Sequence, residues 1–268
     1  MPEIGDKSEM NIQSSWFRKI IVLSVALNLF FLSVFGYMVF RKGGPNYLLS
    51  LFRSHFIKNN TTDLSKSHSY SPSPPIRLYH HRKTVFESLP HDKNEIIFLG
   101  DSFIDFAEWS ELFHNAKIKN RGIAGDRTDG ILLRLNDVLS SAPAKIFIMI
   151  GYNDLSKGRT IPDILQNFKK IIENIRTNSP ETEIYIQSLL PLNNAVYKGI
   201  VDNRDIINLN HQLAKLCKRQ NVVFIDLFSS FCGDDNQLIE EFASNDGLHL
   251  SGKGYLKWRS IIEKFVYP

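Results

Sequence analysis

The chain has 268 residues, 43% hydrophobic and 22% charged, which excludes a disulfide-stabilised miniprotein, a collagen-like chain and a wholly disordered one. The formal net charge is only +4, from 32 Lys and Arg against 28 Asp and Glu, and no Lys/Arg-rich run stands in the globular part. We therefore expect no nucleic-acid partner. Cys217 and Cys232 are too few for a disulfide framework and lack a metal-type spacing.

The first predicted element is a transmembrane helix over residues 20–40. This segment has 21 uncharged residues, and at ~1.5 Å per residue a helix of that length spans about 30 Å, the thickness of a bilayer's hydrocarbon core. Arg18 and Lys19 precede it, and Arg41 and Lys42 follow it. The sequence therefore predicts a single-pass anchor, with residues 1–19 as an N-terminal tail.

Two other interpretations of this segment are weaker. A cleaved signal peptide has a shorter apolar region followed by small residues at the cleavage site, but this segment ends in Tyr-Met-Val-Phe-Arg-Lys. A buried core helix of a soluble protein usually keeps a polar face, and only Ser24, Asn28 and Ser33 interrupt this one. We therefore expect an uncleaved anchor.

The orientation of the anchor is not decided by the flanking charges, because basic residues stand on both sides. We place the catalytic domain on the extracytoplasmic side of the membrane, since a single early anchor followed by a long domain usually acts as an export signal. Residues 41–78 are predicted as a juxtamembrane and Ser/Pro-rich linker. Within it, residues 59–75 are poor in aliphatic side chains and rich in Ser, Thr and Pro, so they cannot bury enough apolar area to offset the entropy of ordering. The globular domain is predicted over 79–268.

Within 79–268, short β-branched runs alternate with longer helical periods, which is typical of a parallel sheet covered by helices on both faces. We therefore predict a three-layer α/β/α, flavodoxin-like fold with a five-stranded parallel sheet in the order 2-1-3-4-5. The predicted strands cover 95–99, 118–121, 145–150, 183–189 and 222–226.

Two of the predicted helices have clear boundaries. One starts at Thr160, where Asp163 completes a capping-box-like pair. The last helix begins near Ser251. Their predicted buried positions are Ile161, Ile164, Leu165, Phe168, Ile171, Ile172 and Ile175 in the first, and Leu256, Ile261, Ile262 and Phe265 in the second.

Polar residues follow each of the first three strands, at 100–102, 122–126 and 151–154. In an open, doubly wound sheet, ligands bind outside the carboxyl ends of the strands, and in this strand order the three loops are neighbours. Ser102, near the end of the first loop, is a weak nucleophile that needs a base and a carboxylate to orient that base. The segment 246–249, Asp-Gly-Leu-His, contains both.

Four segments together resemble the conserved blocks of the SGNH, or GDSL-type, hydrolases and esterases. They are GDSF (100–103), NRGIAGD (120–126), GYND (151–154) and DGLH (246–249), in the family's order and spacing. The sequence around these four segments is similar to the branch of the family that contains the platelet-activating-factor acetylhydrolase catalytic subunits. The departures are Tyr152 and Arg127, where the family often has Thr, and they bear on substrate choice rather than on activity.

The resemblance implies a role for five residues. Ser102 is the nucleophile, His249 the general base and acid, and Asp246 the carboxylate that orients His249. The backbone N–H groups of Ser102 and Gly125 and the side-chain amide of Asn153 form the oxyanion hole. A glycine at position 125 suits this role because its N–H can approach the substrate without a Cβ in the way.

These observations favour a membrane-anchored serine esterase that hydrolyses short-chain acyl esters, acetyl above all, of a carbohydrate or a lipid. The alternative is an acyltransferase of the same fold that passes the acyl group to a sugar hydroxyl.

A flavodoxin-like nucleotide-binding module is less favoured, because Asp101 and Asp105 flank Ser102 and would repel phosphate. A non-catalytic binding module would be expected to lack a triad member. We expect no cofactor and no metal, since the remaining histidines form no metal-binding pattern.

Overall fold

The computed structural model describes residues 19–20, 22–34, 36–37 and 76–267, which fall into two units. The described residues of the N-terminal unit, between 19 and 37, are helical. Across everything the structure describes, no helix has both the length and the apolar character needed to cross a bilayer. The predicted anchor over 20–40 is not supported by these residues. Its positions 21, 35 and 38–40 lie outside them, as do residues 1–18 of the predicted tail and 41–75 of the predicted linker.

Among the described residues, five parallel strands form one sheet in the order β2-β1-β3-β4-β5, which confirms the predicted architecture and order. The ends of each predicted strand lie within two residues of the ends of the observed strand. The bounds are β1 Ile96–Gly100, β2 Ile118–Gly122, β3 Lys145–Met149, β4 Glu183–Gln187 and β5 Val223–Ile225.

The helices of the second unit, numbered from Ile76, surround this sheet. Because crossovers between parallel strands are right-handed, the reversal of strand order after β2 puts α2 and α3 on one face and α4, α6 and α7 on the other. The bounds are α1 Ile76–Ser88, α2 Ser102–Asp105, α3 Trp109–Leu112, α4 Thr128–Leu139, α5 Tyr152–Ser156, α6 Ile161–Asn178, α7 Asn203–Gln220, α8 Phe228–Phe231 and α9 Gly252–Val266, with a 3₁₀ turn at Glu240–Phe242.

The core on the first face is aromatic. Phe98, Phe147 and Tyr185 occupy matching positions on β1, β3 and β4, and neighbouring rings stack at 4.9 and 4.6 Å between centroids. Trp109 of α3 stacks on Phe98 at 4.2 Å and meets Trp258 of α9 edge-on at 5.0 Å. This ladder of rings fixes α3 and α9 against the sheet.

The start of α6 is confirmed. Thr160 is its N-cap, and the Thr160 Oγ1 accepts a hydrogen bond from the backbone N–H of Asp163 at 3.3 Å. The predicted apolar face packs inward, with five of the seven residues fully buried and Ile161 and Leu165 at its margin.

The buried face of α9 is partly different from the prediction. The helix starts where predicted, with Ser251 as its N-cap, and Ile262 is fully buried, but Leu256 is 55% exposed. Trp258 sets the rotation of the helix, because its indole N–H donates to the buried Gln187 side chain at 2.7 Å. The buried hydrophobic residues are consequently Tyr255, Trp258, Ile262 and Val266, with Ile261 and Phe265 at the margin.

Candidate active site

The predicted nucleophile and oxyanion donors lie at the carboxyl edge of neighbouring strands. Ser102 begins α2 directly after β1, and Asp101 caps that helix by accepting from the Phe103 N–H at 3.1 Å. Gly125 lies in the loop after β2, and Asn153 lies in α5 after β3. Because β1 stands between β2 and β3, the sheet brings these three residues to one edge.

A continuous chain of hydrogen bonds joins Ser102 to the segment before α9. The Ser102 Oγ lies 2.8 Å from Nε2 of His249, and Nδ1 of His249 lies 2.6 Å from Oδ2 of Asp246. A carboxylate on Nδ1 holds the proton there, which leaves Nε2 free to accept the hydroxyl proton of serine. The structure therefore brings together three residues that span 147 positions of sequence.

A tight turn holds Asp246 in place. Its Oδ1 accepts the backbone N–H groups of Leu248 and His249, each at 2.9 Å. Burial raises the pKa of Asp246, but the hydrogen bonds from the His249 ring and from these two N–H groups outweigh it and lower the pKa to about 2. Asp246 is therefore a carboxylate throughout the neutral range.

Gly247 is required by this turn. Its φ is +72°, in the left-handed region, and a Cβ there would lie 2.7 Å from the backbone nitrogen of Tyr197. The carbonyl of Gly247 accepts the N–H of Asn193 at 2.9 Å. The loop 190–194 thus supports the Asp246–His249 turn, and its Leu190 and Leu192 are buried in the core.

The three predicted oxyanion donors differ in their hydrogen bonding. Among the described residues, no hydrogen bond involves the backbone N–H of Ser102 or of Gly125, whose φ is +81°. The side-chain amide of Asn153 donates to the Asp126 carbonyl at 3.0 Å and to Oδ2 of Asp101 at 3.3 Å. Within the described part of the chain, the two backbone N–H groups are therefore without a hydrogen-bond partner, whereas the side-chain amide of Asn153 has two acceptors.

Behind the site lies a buried polar network that sequence reasoning missed. Burial is the main reason that the pKa of Asp101 rises to about 8 and that of Asp126 to about 6, although Arg134 opposes the second shift. Arg134 donates from Nε to Oδ2 of Asp126 at 2.9 Å, and to the carbonyls of Arg121 and Gly100 at 2.7 and 3.1 Å. This arginine therefore fixes the ends of β1 and β2 beneath the catalytic loops.

The third buried carboxylate of the network is Asp154. Its two oxygens accept the hydroxyl and the backbone N–H of Thr128 at 2.7 and 3.0 Å, and Asn167 donates to the same hydroxyl at 2.8 Å. Burial raises the pKa of Asp154 as well. These bonds join α5, which contains Asn153, to α4 and α6.

The raised pKa of Asp101 predicts a pH-dependent stability. Between about pH 4 and pH 8 the folded chain holds the Asp101 proton while the unfolded chain loses it, so the free energy of unfolding should fall as pH rises, by at most ~1.4 kcal/mol per pH unit. Asp101→Asn keeps an acceptor for the Phe103 N–H and removes the titration. Urea unfolding at several pH values should therefore show a flatter profile for the variant.

The exposed Asp92 provides the control for this prediction. The free energy of unfolding of Asp92→Asn should depend on pH in the same way as that of the wild type. A stability difference between wild type and Asp101→Asn that stays constant from pH 4 to pH 8 would contradict a buried, protonated Asp101.

Two aromatic rings stand beside His249. The Phe103 ring centroid is 5.4 Å from that of His249 and 6.3 Å from that of Tyr152. The side chains of Phe103 and Tyr152 are almost completely buried. Burial, followed by the neighbouring Tyr197, raises the pKa of the Tyr152 hydroxyl above its usual range. Phe106 lies on the other side, with its ring 5.0 Å from that of His249 and more than half exposed.

Comparison with known proteins gives a family match and curated relatives. Residues 98–257 match the model of the GDSL-like lipase/acylhydrolase family. The chain is 29% identical over 173 residues to platelet-activating factor acetylhydrolase IB subunit alpha2 of Gallus gallus, which covers 61% of this chain and 72% of that relative. It is 30% identical over 183 residues to platelet-activating factor acetylhydrolase IB subunit alpha1 of Homo sapiens, and this match covers 66% of this chain and 76% of that relative.

Solved structures resemble the second unit in fold. A Streptococcus pneumonia protein described as a platelet activating factor superposes with a TM-score of 0.66 at 31% identity, covering 72% of this chain and 94% of that one. A GDSL-like lipase of Bacteroides thetaiotaomicron superposes with a TM-score of 0.61 at 20% identity, covering 70% and 96%. The second likeness concerns the fold alone.

Proposed function

The chain belongs to the GDSL-like lipase/acylhydrolase family and is a hydrolase of the SGNH type, and from this premise we propose that it is a serine esterase whose triad is Ser102, His249 and Asp246. The observation that carries this proposal is the unbroken hydrogen-bonded chain, 2.8 Å from Ser102 to His249 and 2.6 Å from His249 to Asp246. A hydroxyl bonded to an imidazole that a carboxylate orients has the arrangement of an activated nucleophile.

In the acylation step, the Ser102 Oγ attacks the ester carbonyl carbon while its proton passes to Nε2 of His249. The carbonyl oxygen becomes an oxyanion, and the N–H groups of Ser102 and Gly125 and the amide of Asn153 are proposed to stabilise it. Donors of this kind contribute about 2.7–4 kcal/mol each to transition-state stabilisation. The C–O bond to the alcohol then breaks, and His249 gives its proton to the leaving oxygen.

Deacylation returns the enzyme to its starting state. A water molecule attacks the acyl-Ser102 carbonyl and gives a proton to Nε2 of His249. When the bond to Ser102 breaks, that proton returns to Oγ and the carboxylic acid leaves. In the alternative activity, an acyltransferase, a sugar hydroxyl would take the place of this water.

We propose a short acyl group, acetyl above all, with the alcohol supplied by a carbohydrate or a lipid. The buried ring of Phe103 beside His249 and the buried ring of Tyr152 next to Phe103 support this, because they fill space that a longer acyl chain would need. The curated relatives are named acetylhydrolases, which also favours acetyl.

Tyr152→Thr should relax this chain-length preference. Removing the ring opens space next to Phe103, and each additional methylene that fits a hydrophobic pocket contributes about tenfold or more to specificity. We therefore expect the ratio of kcat/KM for p-nitrophenyl octanoate to that for p-nitrophenyl acetate to rise at least about tenfold. Tyr152→Phe keeps the ring and should keep the preference of the wild type; an unchanged ratio in Tyr152→Thr would contradict this position for the acyl group.

The esterase proposal is tested directly with the full chain in a non-ionic detergent. We expect hydrolysis of p-nitrophenyl acetate and, after rapid quenching in acid, a mass increase of one acetyl group on the peptide that contains Ser102. Addition of a free sugar acceptor should not change the products. An acetylated sugar as the main product would favour the acyltransferase, and the absence of both hydrolysis and acetyl-serine would contradict both activities.

We propose in addition that residues 20–40 anchor the chain as a single-pass segment, with the catalytic domain on the extracytoplasmic side. Support comes from the sequence, through the uncharged stretch of 21 residues and its basic flanks. The full chain should remain in the membrane pellet after an alkaline carbonate wash, and protease added to intact cells should digest the domain. Release of the full chain by the wash would contradict anchoring, and an undigested domain would contradict this orientation.

A further inference from the structure

The loop that contains Gly125 is held at the two residues before it. Ile123 is fully buried and forms a small apolar cluster with Tyr79 and Phe86 of α1. The backbone N–H of Ala124 donates to Oδ2 of Asp105 at 3.0 Å. Because the N–H of Gly125 follows directly along the backbone, its direction depends on these two points of attachment.

Asp105 connects this loop to the helix of the nucleophile. It lies in α2, three residues after Ser102, and its own N–H donates to the Asp101 carbonyl at 2.9 Å. The contact between α2 and β2 is so close that a Cβ at Gly122 would lie 2.2 Å from the Asp105 nitrogen. A shift of Asp105 would therefore alter the distance between Ser102 and the Gly125 loop.

Arg82 of α1 holds Asp105 from the other side. Its guanidinium nitrogen lies 2.6 Å from Oδ1 of Asp105, with the two side chains 29% and 13% exposed. The guanidinium also stacks over the Phe86 ring at 4.7 Å. The ion pair both restrains Asp105 and neutralises a carboxylate that stands one helical turn from Ser102.

We propose that Arg82 and Asp105 are positioning residues for the esterase reaction, which aim the N–H of Gly125 at the developing oxyanion. Helix α1, which precedes the residues 98–257 that match the family model, is then a working part of the active site. This inference rests on the proposed function, because it assumes that Gly125 is an oxyanion donor. A donor that is displaced slightly loses transition-state stabilisation without changing substrate affinity to the same degree.

The test is the steady-state kinetics of Arg82→Met with p-nitrophenyl acetate, using the full chain in a non-ionic detergent. We expect kcat to fall about tenfold, less than the ~10²–10³-fold cost of losing a donor outright, while KM changes less than about twofold. Asp105→Ala should act in the same direction. Arg82→Lys keeps a cation for Asp105 and should recover most of the lost kcat.

Arg259→Met is a matched control, because Arg259 also lies over an aromatic ring, that of Phe113, and pairs with an acidic residue, Glu263. It should leave kcat unchanged. With an active wild type, three results would overturn the inference. Arg82→Met could have the same kcat as the wild type, or Arg82→Lys could have a kcat as low as that of Arg82→Met. The third is a fall in kcat for Arg259→Met as large as that for Arg82→Met. A wild type that hydrolyses no ester overturns the proposed function and the inference with it.

Discussion

Ser102→Ala is expected to lower kcat/KM for p-nitrophenyl acetate by about 10⁶-fold, because among the described residues the hydroxyl of Ser102 is the oxygen bonded to Nε2 of His249, and its removal takes away the nucleophile. His249→Ala should cost about as much, since the serine hydroxyl then has no base. The residues of a triad act as one unit, so the double variant should be little slower than either single one. Initial rates measured at high enzyme concentration would show all three results.

The control for this experiment is Ser110→Ala, a serine of α3 that takes no part in the hydrogen-bonded chain described at the site. It should have the activity of the wild type. If Ser102→Ala keeps more than about one part in a thousand of the activity, after correction for contaminating esterases, the nucleophile is another residue. If instead the losses of the two single variants multiply in the double variant, Ser102 and His249 do not act as a unit.

Arg134→Met is expected to lower the free energy of unfolding by about 3–5 kcal/mol, because it leaves Asp126 as an uncompensated buried charge. The side chains of Arg134 and Asp126 are 2% and 0% exposed, so water cannot replace the lost partner. The variant also loses the hydrogen bonds from Arg134 to the carbonyls of Arg121 and Gly100. Equilibrium unfolding in urea with tryptophan fluorescence measures the change.

A second substitution separates charge from packing. The double variant Arg134→Met with Asp126→Asn removes both charges, and it should recover part of the lost stability. Lys253→Met breaks an exposed ion pair with Glu241 and should leave stability nearly unchanged. An Arg134→Met protein as stable as wild type would show that Asp126 is not charged in the folded chain.

The sheet and the triad can be predicted from sequence for different reasons. Four of the five strands are short apolar runs, so local pattern is enough to locate them, and β2, with the sequence Ile-Lys-Asn-Arg-Gly, is located by its position between two predicted helices. Ser102, Asn153, Asp246 and His249 stand in short motifs at strand ends or before a helix. Their types and spacing point to a common chemistry before their distances are known.

Other features depend on contacts that no local pattern shows. The rotation of α9 is set by the bond from Trp258 to Gln187, a partner 71 residues away, and this is why Leu256 lies outside instead of inside. The sequence around Arg134 is that of an ordinary helix, and nothing in it indicates the buried ion pair that Arg134 forms with Asp126 in the folded chain. Arg82 belongs to a helix whose place against the Gly125 loop depends on a small apolar cluster formed between distant parts of the sequence.

Both hydrogens of the Asn153 amide are already in use in the free protein, one on the Asp126 carbonyl and one on Asp101. A neutral ester oxygen is no better an acceptor than a peptide carbonyl, so exchanging one for the other on substrate binding brings no gain. A negatively charged oxygen is a much stronger acceptor and can draw the amide away. We therefore expect the Asn153 amide to stabilise the transition state and not the bound ester, so that it raises kcat and leaves KM nearly unchanged.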